Sequence, residues 1–324
     1  MKTVLVTGGA GYTGGNLCRA LVARGHRVRT LVLPGMEAAP LKEIGVETVT
    51  GDLTLKESLV PAVRGVDIVY HIAAVYREQN VPRRVFLDVN VLGTQNLLET
   101  AADAGVKRFV HCSTVGVQGD IQNPPAAEDA PYAPGDYYQE SKMEGELLAL
   151  KFQRDKKLPV VVFRPVGIYG PGDTRFLKLF RNVRKPMIGS GNVLYHLTYI
   201  DDLVEGIRLA GETPNIEGEI FTLAGPRYTT LNELYAAIAR SLGTRPSRIH
   251  LPVRPFLMAG ATCETVCLPF RISPPIYRRR VDFFVKDRAF DISKARRVLG
   301  YNPKVDLEEG LSKTAQWYRE QGLL

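Results

Sequence analysis

Thr3-Val4-Leu5-Val6-Thr7-Gly8-Gly9-Ala10-Gly11-Tyr12-Thr13-Gly14 opens the chain and sets its architecture. Thr3–Val6 reads as a short apolar strand. It runs into glycines at 8, 9, 11, 14 and 15, then into helix-like residues from about Tyr12. Both Gly9-x-Gly11-x-x-Gly14 and Gly8-x-x-Gly11-x-x-Gly14 can be read here. Glycine permits a tight turn and lets backbone approach a pyrophosphate. The helix N-terminus adds N–H donors and the positive end of a dipole. A plain glycine-rich turn is the alternative, but the strand before and the helix after favour a dinucleotide site.

Outward from this unit, short apolar runs alternate with amphipathic ones. The strand candidates are Thr3–Val6, Val28–Leu33, Glu47–Thr50, Ile68–Ile72, Phe109–Ser113 and Val160–Arg164. Helix-like stretches such as Gly14–Arg24 and Val85–Ala104 lie between them. Repeated units of this length predict an α/β fold: a doubly wound parallel sheet with helices on both faces. After Pro165 the pattern loosens and Pro and Gly become frequent. One more strand candidate, Ile220–Leu223, follows, with helices at Thr230–Leu242 and Leu307–Gln321. The expected division is a nucleotide domain at 1–165 and a smaller α/β substrate lobe at 166–324. About 199–224 is expected to return to the sheet.

Tyr138-Gln139-Glu140-Ser141-Lys142 puts a phenol and an ammonium at i and i+4, on one helix face. A nearby ammonium stabilises a phenolate and brings its pKa down from about 10 toward the working range. Tyr137 is a rival phenol, but it points about 100° round the helix. The strand ending at Cys112-Ser113-Thr114 delivers a hydroxyl to the carboxyl edge of the sheet, where ligands bind in such folds. Thr114 is the first candidate to hold a substrate oxygen against Tyr138, and Ser113 the second.

The adenosine end is less decided. An acid at the end of the second strand would hold the ribose 2′-OH and select NAD. Val32 or Leu33 stands there. No arginine replaces it to hold a 2′-phosphate, although Arg29 and Lys42 lie nearby. NAD is the expected cofactor, with NADP not excluded. Asp52 either accepts a hydrogen bond from the adenine or caps the segment that follows it.

The 324 residues are 45% apolar, 23% charged, and carry a net charge of +8. That charge suits anionic ligands but says nothing about fold. Only Arg278-Arg279-Arg280 and 181–185 are tight basic clusters, and no aromatic-basic stripe accompanies them, so nucleic acid is not expected. Four cysteines, at 18, 112, 263 and 267, are too few for a disulfide framework. Cys263 and Cys267 have no His or third Cys close by, so no metal is expected. The chain enters a strand directly after Met1-Lys2 and shows no signal peptide, and a cytoplasmic location is expected. Pro255 to Ile272 is the nearest approach to a membrane span, but Glu264 and Arg271 interrupt it. It reads as a lobe helix, a substrate lid or a surface-lying segment, which keeps peripheral membrane contact open.

Taken together, these motifs resemble the extended short-chain dehydrogenase/reductase superfamily. That group includes nucleotide-sugar epimerases and dehydratases, 3β-hydroxysteroid dehydrogenases and dihydroflavonol-type reductases. The resemblance covers nearly the whole chain. It is carried by Thr7–Gly14, Asp52-Leu53, His71-Ile72-Ala73-Ala74, Asn90–Thr94, Cys112-Ser113-Thr114, Tyr138–Lys142 and Arg164–Gly172. Leu299–Pro303 and Leu307–Leu311 add a family-like ending. The resemblance implies a Rossmann-type sheet and a catalytic Thr114, Tyr138 and Lys142. It implies cofactor contacts at Gly8, Gly11, Tyr12, Thr13, Gly14, Asp52, Leu53, Ala73, Ala74, Asn90, Ser113, Tyr138, Lys142, Pro165, Gly167 and Ile168. It also implies a homodimer built on the helices carrying Asn90–Ala104 and Tyr138–Lys151.

Departures from the family patterns separate its branches. The 4,6-dehydratases place Asp-Glu after the catalytic threonine, where this chain has Val115-Gly116. Nucleotide-sugar epimerases carry an asparagine where Gly167 stands, and Arg-Asp-Tyr before the returning segment, where the corresponding stretch here is Tyr195-His196-Leu197-Thr198-Tyr199-Ile200-Asp201-Asp202. Arg254, Arg271 and Arg278–Arg280 could still meet a phosphate from the lobe. Tyr199-x-x-Asp202 and the apolar run at 255–270 point to the hydroxysteroid and dihydroflavonol branches. The expected function is hydride transfer at a secondary alcohol or ketone of a small molecule. A nucleotide-sugar 4-epimerase and a non-catalytic cofactor-binding scaffold are the alternatives.

Overall fold

Thr3–Thr7 (β1) lies inside a seven-stranded sheet because every residue after Thr3 is apolar or small and both sheet faces are covered. The other strands are β2 (Arg27–Val32), β3 (Glu47–Thr50), β4 (Ile68–His71), β5 (Arg108–Cys112), β6 (Val160–Pro165) and β7 (Ile220–Leu223). Their order is β7-β6-β5-β4-β1-β2-β3 and all neighbours are parallel. This computed structural model describes the chain except Glu37, 77–80, Lys156 and 268–277, and of Glu264 and Arg278–Arg280 the backbone alone.

Alternation along the strands feeds two core layers. Val4, Val6, Val110, Val161 and Phe163 face the helices Tyr12–Ala23 and Ile200–Glu212. Leu5, Val69, Phe109, Val160 and Val162 face the helices Gly93–Asp103 and Tyr137–Arg154. All ten side chains are buried, and each contributes roughly 1.5–3 kcal/mol of transfer free energy as an upper estimate. Crossovers run outward in both directions from β1, so the strand order reverses between β1 and β4. Ligands bind in the crevice outside the carboxyl ends at such a switch point.

Strand ends differ from the sequence reading by one or two residues. β2 stops at Val32, which leaves Leu33 in the turn. The long helix expected from Val85 runs from Arg83 to Asp103 and carries a π segment at Asp88–Leu92. Beyond Pro165, three two-stranded pairs that the pattern does not announce tie the lobe together. They join Gly167–Tyr169 to Leu197–Tyr199, Leu194–Tyr195 to Thr229–Thr230, and Met187–Ile188 to His250–Leu251. Pairs this short carry too little periodicity to be read from sequence.

Val253–Cys267 is helical. The rest of the apolar run, with Arg271, lies outside the described residues. Among the described residues no helix is long and apolar enough to cross a membrane.

Candidate active site

A cleft of about 1590 Å³ opens at the carboxyl ends of the strands and runs from Leu33 and Met36 to Phe283 and Phe284. The glycine loop forms its floor. Gly8 turns with φ +75°, and a Cβ there would stand 2.9 Å from the Ala73 backbone. A Cβ on Gly14 would stand 2.2 Å from Gly8 O. Glycine at these two positions therefore lets the loop, the helix and the segment after β4 converge. The helix Tyr12–Ala23 starts behind Gly11 with no side-chain cap and no acid in its first turn. Its N–H groups and dipole are thus available to an anion. That arrangement fits the diphosphate of a dinucleotide.

The adenosine end is apolar. Leu33 and Met36 line it at 46% and 48% exposure, beside Asp52 and Leu53. Asp52 Oδ1 accepts from Thr54 N and Thr54 Oγ1, both at 2.8 Å, so the carboxylate caps the following turn while it faces the cleft. Arg29 turns away: its Nη1 donates to Ala62 O and Arg64 O, each at 2.9 Å. Arg29 and Lys42 are both absent from the cleft lining.

At the other end stand Tyr138, Lys142 and Thr114, the residues expected to transfer the proton. Asp136 Oδ1 accepts from Gln139 N at 2.8 Å and caps the helix Tyr137–Arg154, which places Tyr138 in its first turn. Tyr138 is 9% exposed and lines the cleft, whereas Tyr137 is 55% exposed and lies near Arg83 on the outer surface. Lys142 follows one turn later, buried. Burial pushes its ammonium below the ordinary lysine range, and Cys112 and Glu146 pull it partly back. Thr114 Oγ1 accepts from Gly116 N at 3.1 Å, which leaves its own proton to donate. Ser113 Oγ is buried, and no partner is found for it among the described residues. Both hydroxyls line the cleft.

The expected cofactor contacts Ala73, Ala74, Pro165, Gly167 and Ile168 line it too. Asn90 does not. Its amide pairs with the Val75 backbone, accepting at 2.8 Å and donating at 3.1 Å, and donates to Ser141 Oγ at 2.9 Å. It fastens the loop after β4 to the helix Tyr137–Arg154 from the π segment, which is the brace that the resemblance implies for it besides a cofactor contact.

Behind the site, the polar groups form a closed chain. Thr94 Oγ1 donates to Asn90 O at 2.7 Å, so it accepts from His71 Nε2–H at 3.0 Å. His71 Nδ1 then accepts from Thr7 Oγ1 at 2.8 Å. Thr7 Oγ1 in turn accepts from Ile72 and Ala73 N–H at 3.1 and 3.2 Å. His71 is thereby a neutral strut joining β1, β4 and the Asn90 helix. Burial, then Lys142, pushes its pKa down to about 3. On the far side, Glu146 is clamped by Arg164 at 2.5 and 3.1 Å, with both side chains buried. Tyr132 Oη adds a bond to Glu146 at 2.6 Å.

Three contributors are not read from the sequence. Tyr76 stacks edge-on against Tyr138, with ring centroids 5.0 Å apart. Arg175 and Asp173 reach the cleft from the lobe. Tyr76 lies two residues after Ala74 and Asp173 directly follows Gly172, but no period or spacing marks either of them. His196, a departure from the epimerase pattern, is buried between two carbonyls: its ring nitrogens stand 3.2 Å from Phe290 O and 3.0 Å from Gly225 O, and the neutral ring donates to one of them.

A parallel sheet with a glycine loop at its switch point and a Thr-Tyr-Lys group across the cleft defines an extended short-chain dehydrogenase/reductase. The model of the NAD dependent epimerase/dehydratase family matches residues 4–224, and the chain belongs to that family. A 3-beta-hydroxysteroid dehydrogenase of Mycolicibacterium neoaurum is 31% identical, over 98% of this chain and 91% of that one. The human sterol-4-alpha-carboxylate 3-dehydrogenase, decarboxylating, is 28% identical, over 98% and 88%. Among solved structures, a dTDP-glucose 4,6-dehydratase from Streptomyces venezuelae with NAD bound is similar at 30% identity and TM-score 0.77, over 98% of this chain and 97% of that one. The protein is thus a nicotinamide-nucleotide-dependent enzyme of this family.

Proposed function

We propose that the protein is a dehydrogenase of an apolar secondary alcohol, with a 3β-hydroxysteroid as its substrate class. The lobe wall of the cleft carries this reading. Phe176, Leu179, Phe283, Phe284 and Phe290 line it, and an apolar wall suits an apolar substrate. At Gly167, where epimerases of this superfamily present an asparagine, a Cβ would stand 2.7 Å from the Leu197 side chain. Leucine thus fills the space of a diphosphate contact. The hydroxysteroid and sterol dehydrogenases among the relatives support the same class. A nucleotide-sugar 4-epimerase is the second reading, favoured by Lys178, Lys185 and Lys286 on the rim of that wall.

The bound nicotinamide supplies the acceptor for the hydride. The chain supplies the rest. Tyr138 takes the carbinol proton at its phenolic oxygen, Thr114 donates to the same substrate oxygen, and Lys142 stabilises the phenolate. Residues 166–324, apart from the segment that returns to the sheet, act as the substrate lobe.

NAD is the preferred cofactor. Among the described residues no cation stands at Leu33 and Met36 to meet a 2′-phosphate. Titration with both nucleotides is expected to show NAD bound at least about tenfold more tightly, a difference of about 1.4 kcal/mol. Tighter NADP would overturn this.

The test of function is a substrate panel with NAD. Reduction by 3β-hydroxysteroids, with no conversion of UDP-sugars, is expected. Interconversion of a UDP-sugar without net reduction would replace this reading with the epimerase.

A further inference from the structure

Arg175 crosses the groove that the cofactor must occupy. Its backbone N–H and its Nε both donate to Asp173 Oδ1, at 3.0 and 2.8 Å. That carboxylate is buried, so the guanidinium is anchored from the lobe. Its Cζ stands 5.7 Å from the Tyr12 ring centroid and 5.8 Å from that of Tyr76. Tyr12 begins the helix behind the glycine loop. Tyr76 belongs to the segment that follows β4. These are the two banks of the switch-point groove, and Arg175 rests against an aromatic face on each.

Two further atoms mark the same place. Tyr12 Oη and Asp173 Oδ2 are buried and have no hydrogen-bond partner among the described residues. A donor and an acceptor beside a planar cation match a diphosphate flanked by ribose hydroxyls. The oxyanions would meet the guanidinium and the phenol, and a hydroxyl would meet the carboxylate. Of the other cations lining the cleft, Lys142 lies beside Tyr138, and Lys178, Lys185, Lys286 and Arg288 belong to lobe segments farther on. Arginine suits this position because Nε and Nη2 hold Asp173 and Ile168 O, at 2.8 and 3.3 Å, while Nη1 is left to bond an oxyanion and the plane stacks on aromatic rings.

We propose that Arg175 is a cofactor clasp: a guanidinium carried by the lobe that pairs with the dinucleotide's diphosphate and holds it between Tyr12 and Tyr76. The proposal rests on the dinucleotide site described above and not on the substrate class. Tyr76 also touches Tyr138, so the clasp and the catalytic phenol share one ring.

The experiment is calorimetric titration of the full chain with NAD, ADP-ribose and adenosine, in wild type, Arg175→Met and Arg175→Lys. Arg175→Met is expected to weaken NAD and ADP-ribose about tenfold to a hundredfold, in line with loss of a charge-assisted bond. Arg175→Lys should fall between, since it keeps the charge and loses the fork. The loss should shrink at high salt. Adenosine, without phosphates, should bind all three alike, which also reports that the variants are folded. Unchanged ADP-ribose affinity in Arg175→Met would overturn the clasp. So would a change confined to the KM of an anionic substrate, which would assign Arg175 to substrate. If wild type binds neither NAD nor ADP-ribose, the cofactor reading fails and the clasp with it. If the binding losses appear but no steroid alcohol is oxidised, the clasp stands and the substrate class falls.

Discussion

Tyr138 and Lys142 combine a phenol facing the cleft with an ammonium withdrawn from water. Replacing Tyr138 by Phe removes the atom that carries the proton and little else. Turnover is expected to fall by about 10²–10⁴-fold, with NAD affinity retained. Steady-state rates and a cofactor titration on the same preparation check this. The histidines behind the site make a second prediction. His71 and His111 are held neutral, mainly by burial, and both titrate well below the ordinary histidine range in the folded chain. Unfolded histidine takes its proton near about 6.5. Below that pH the unfolded state binds protons that the native state refuses, so stability is full above it and declines on acidification. Each histidine adds a slope of about 1.4 kcal/mol per pH unit. No hydrogen-bond partner is found for either His111 nitrogen among the described residues. His111→Leu should therefore hold stability at neutral pH and flatten the acid slope. Urea midpoints across that range measure both, and an unchanged slope would contradict the account. At this scale the convergence of Thr114, Tyr138 and Lys142 on one cleft was legible because the arrangement is local, one helix face and one strand end. Tyr76 and Arg175 were not, because stacked rings and a cross-cleft cation have no sequence period. Arg29 agrees with the sequence reading that no arginine holds a 2′-phosphate: its guanidinium is bound to carbonyls of another segment.

The helix Tyr137–Arg154 depends on its first turn for function. Asp136→Ala removes the cap, at a cost of about 1 kcal/mol. Because Tyr138 lies in that turn, kcat should fall while KM for NAD holds. Equal losses in both would point to general unfolding instead. The helix Ile200–Glu212 makes a different demand. A Cβ on Gly211 would stand 2.1 Å from Tyr70 Oη, a clash with a rigid buried ring. Gly211→Ala is expected to destabilise by about 1–3 kcal/mol, read as a lowered denaturation midpoint. Strands and helices were legible to within a residue or two through apolar runs and amphipathic periods. The π segment at Asp88–Leu92 was not, since one extra residue in a turn leaves no mark in that pattern. It is this segment that carries Asn90, which braces the site.

Across the whole molecule, the order of the sheet places the glycine loop, Thr114, Tyr138 and the lobe around one cleft. That much followed from the alternation of strands and helices. The assembly state did not. Leu92, Leu147 and Tyr137 are exposed on the helices Arg83–Asp103 and Tyr137–Arg154, the faces that the homodimer implied by the resemblance would cover. Leu147→Glu is expected to give monomers by light scattering, and an unchanged mass would rule that surface out. Past Arg254 the apolar residues that line the cleft, among the described ones, are Phe283, Phe284 and Phe290, a grouping that follows no fixed period and so was not readable. The claim at the centre of the account is that Tyr138 moves a proton while an apolar carbinol gives hydride to NAD. The most direct measurement follows reduced nicotinamide as a 3β-hydroxysteroid is added to wild type and to Tyr138→Phe. The account predicts reduction by wild type, and loss of it in the variant although NAD still binds. Equal rates in both proteins would contradict it.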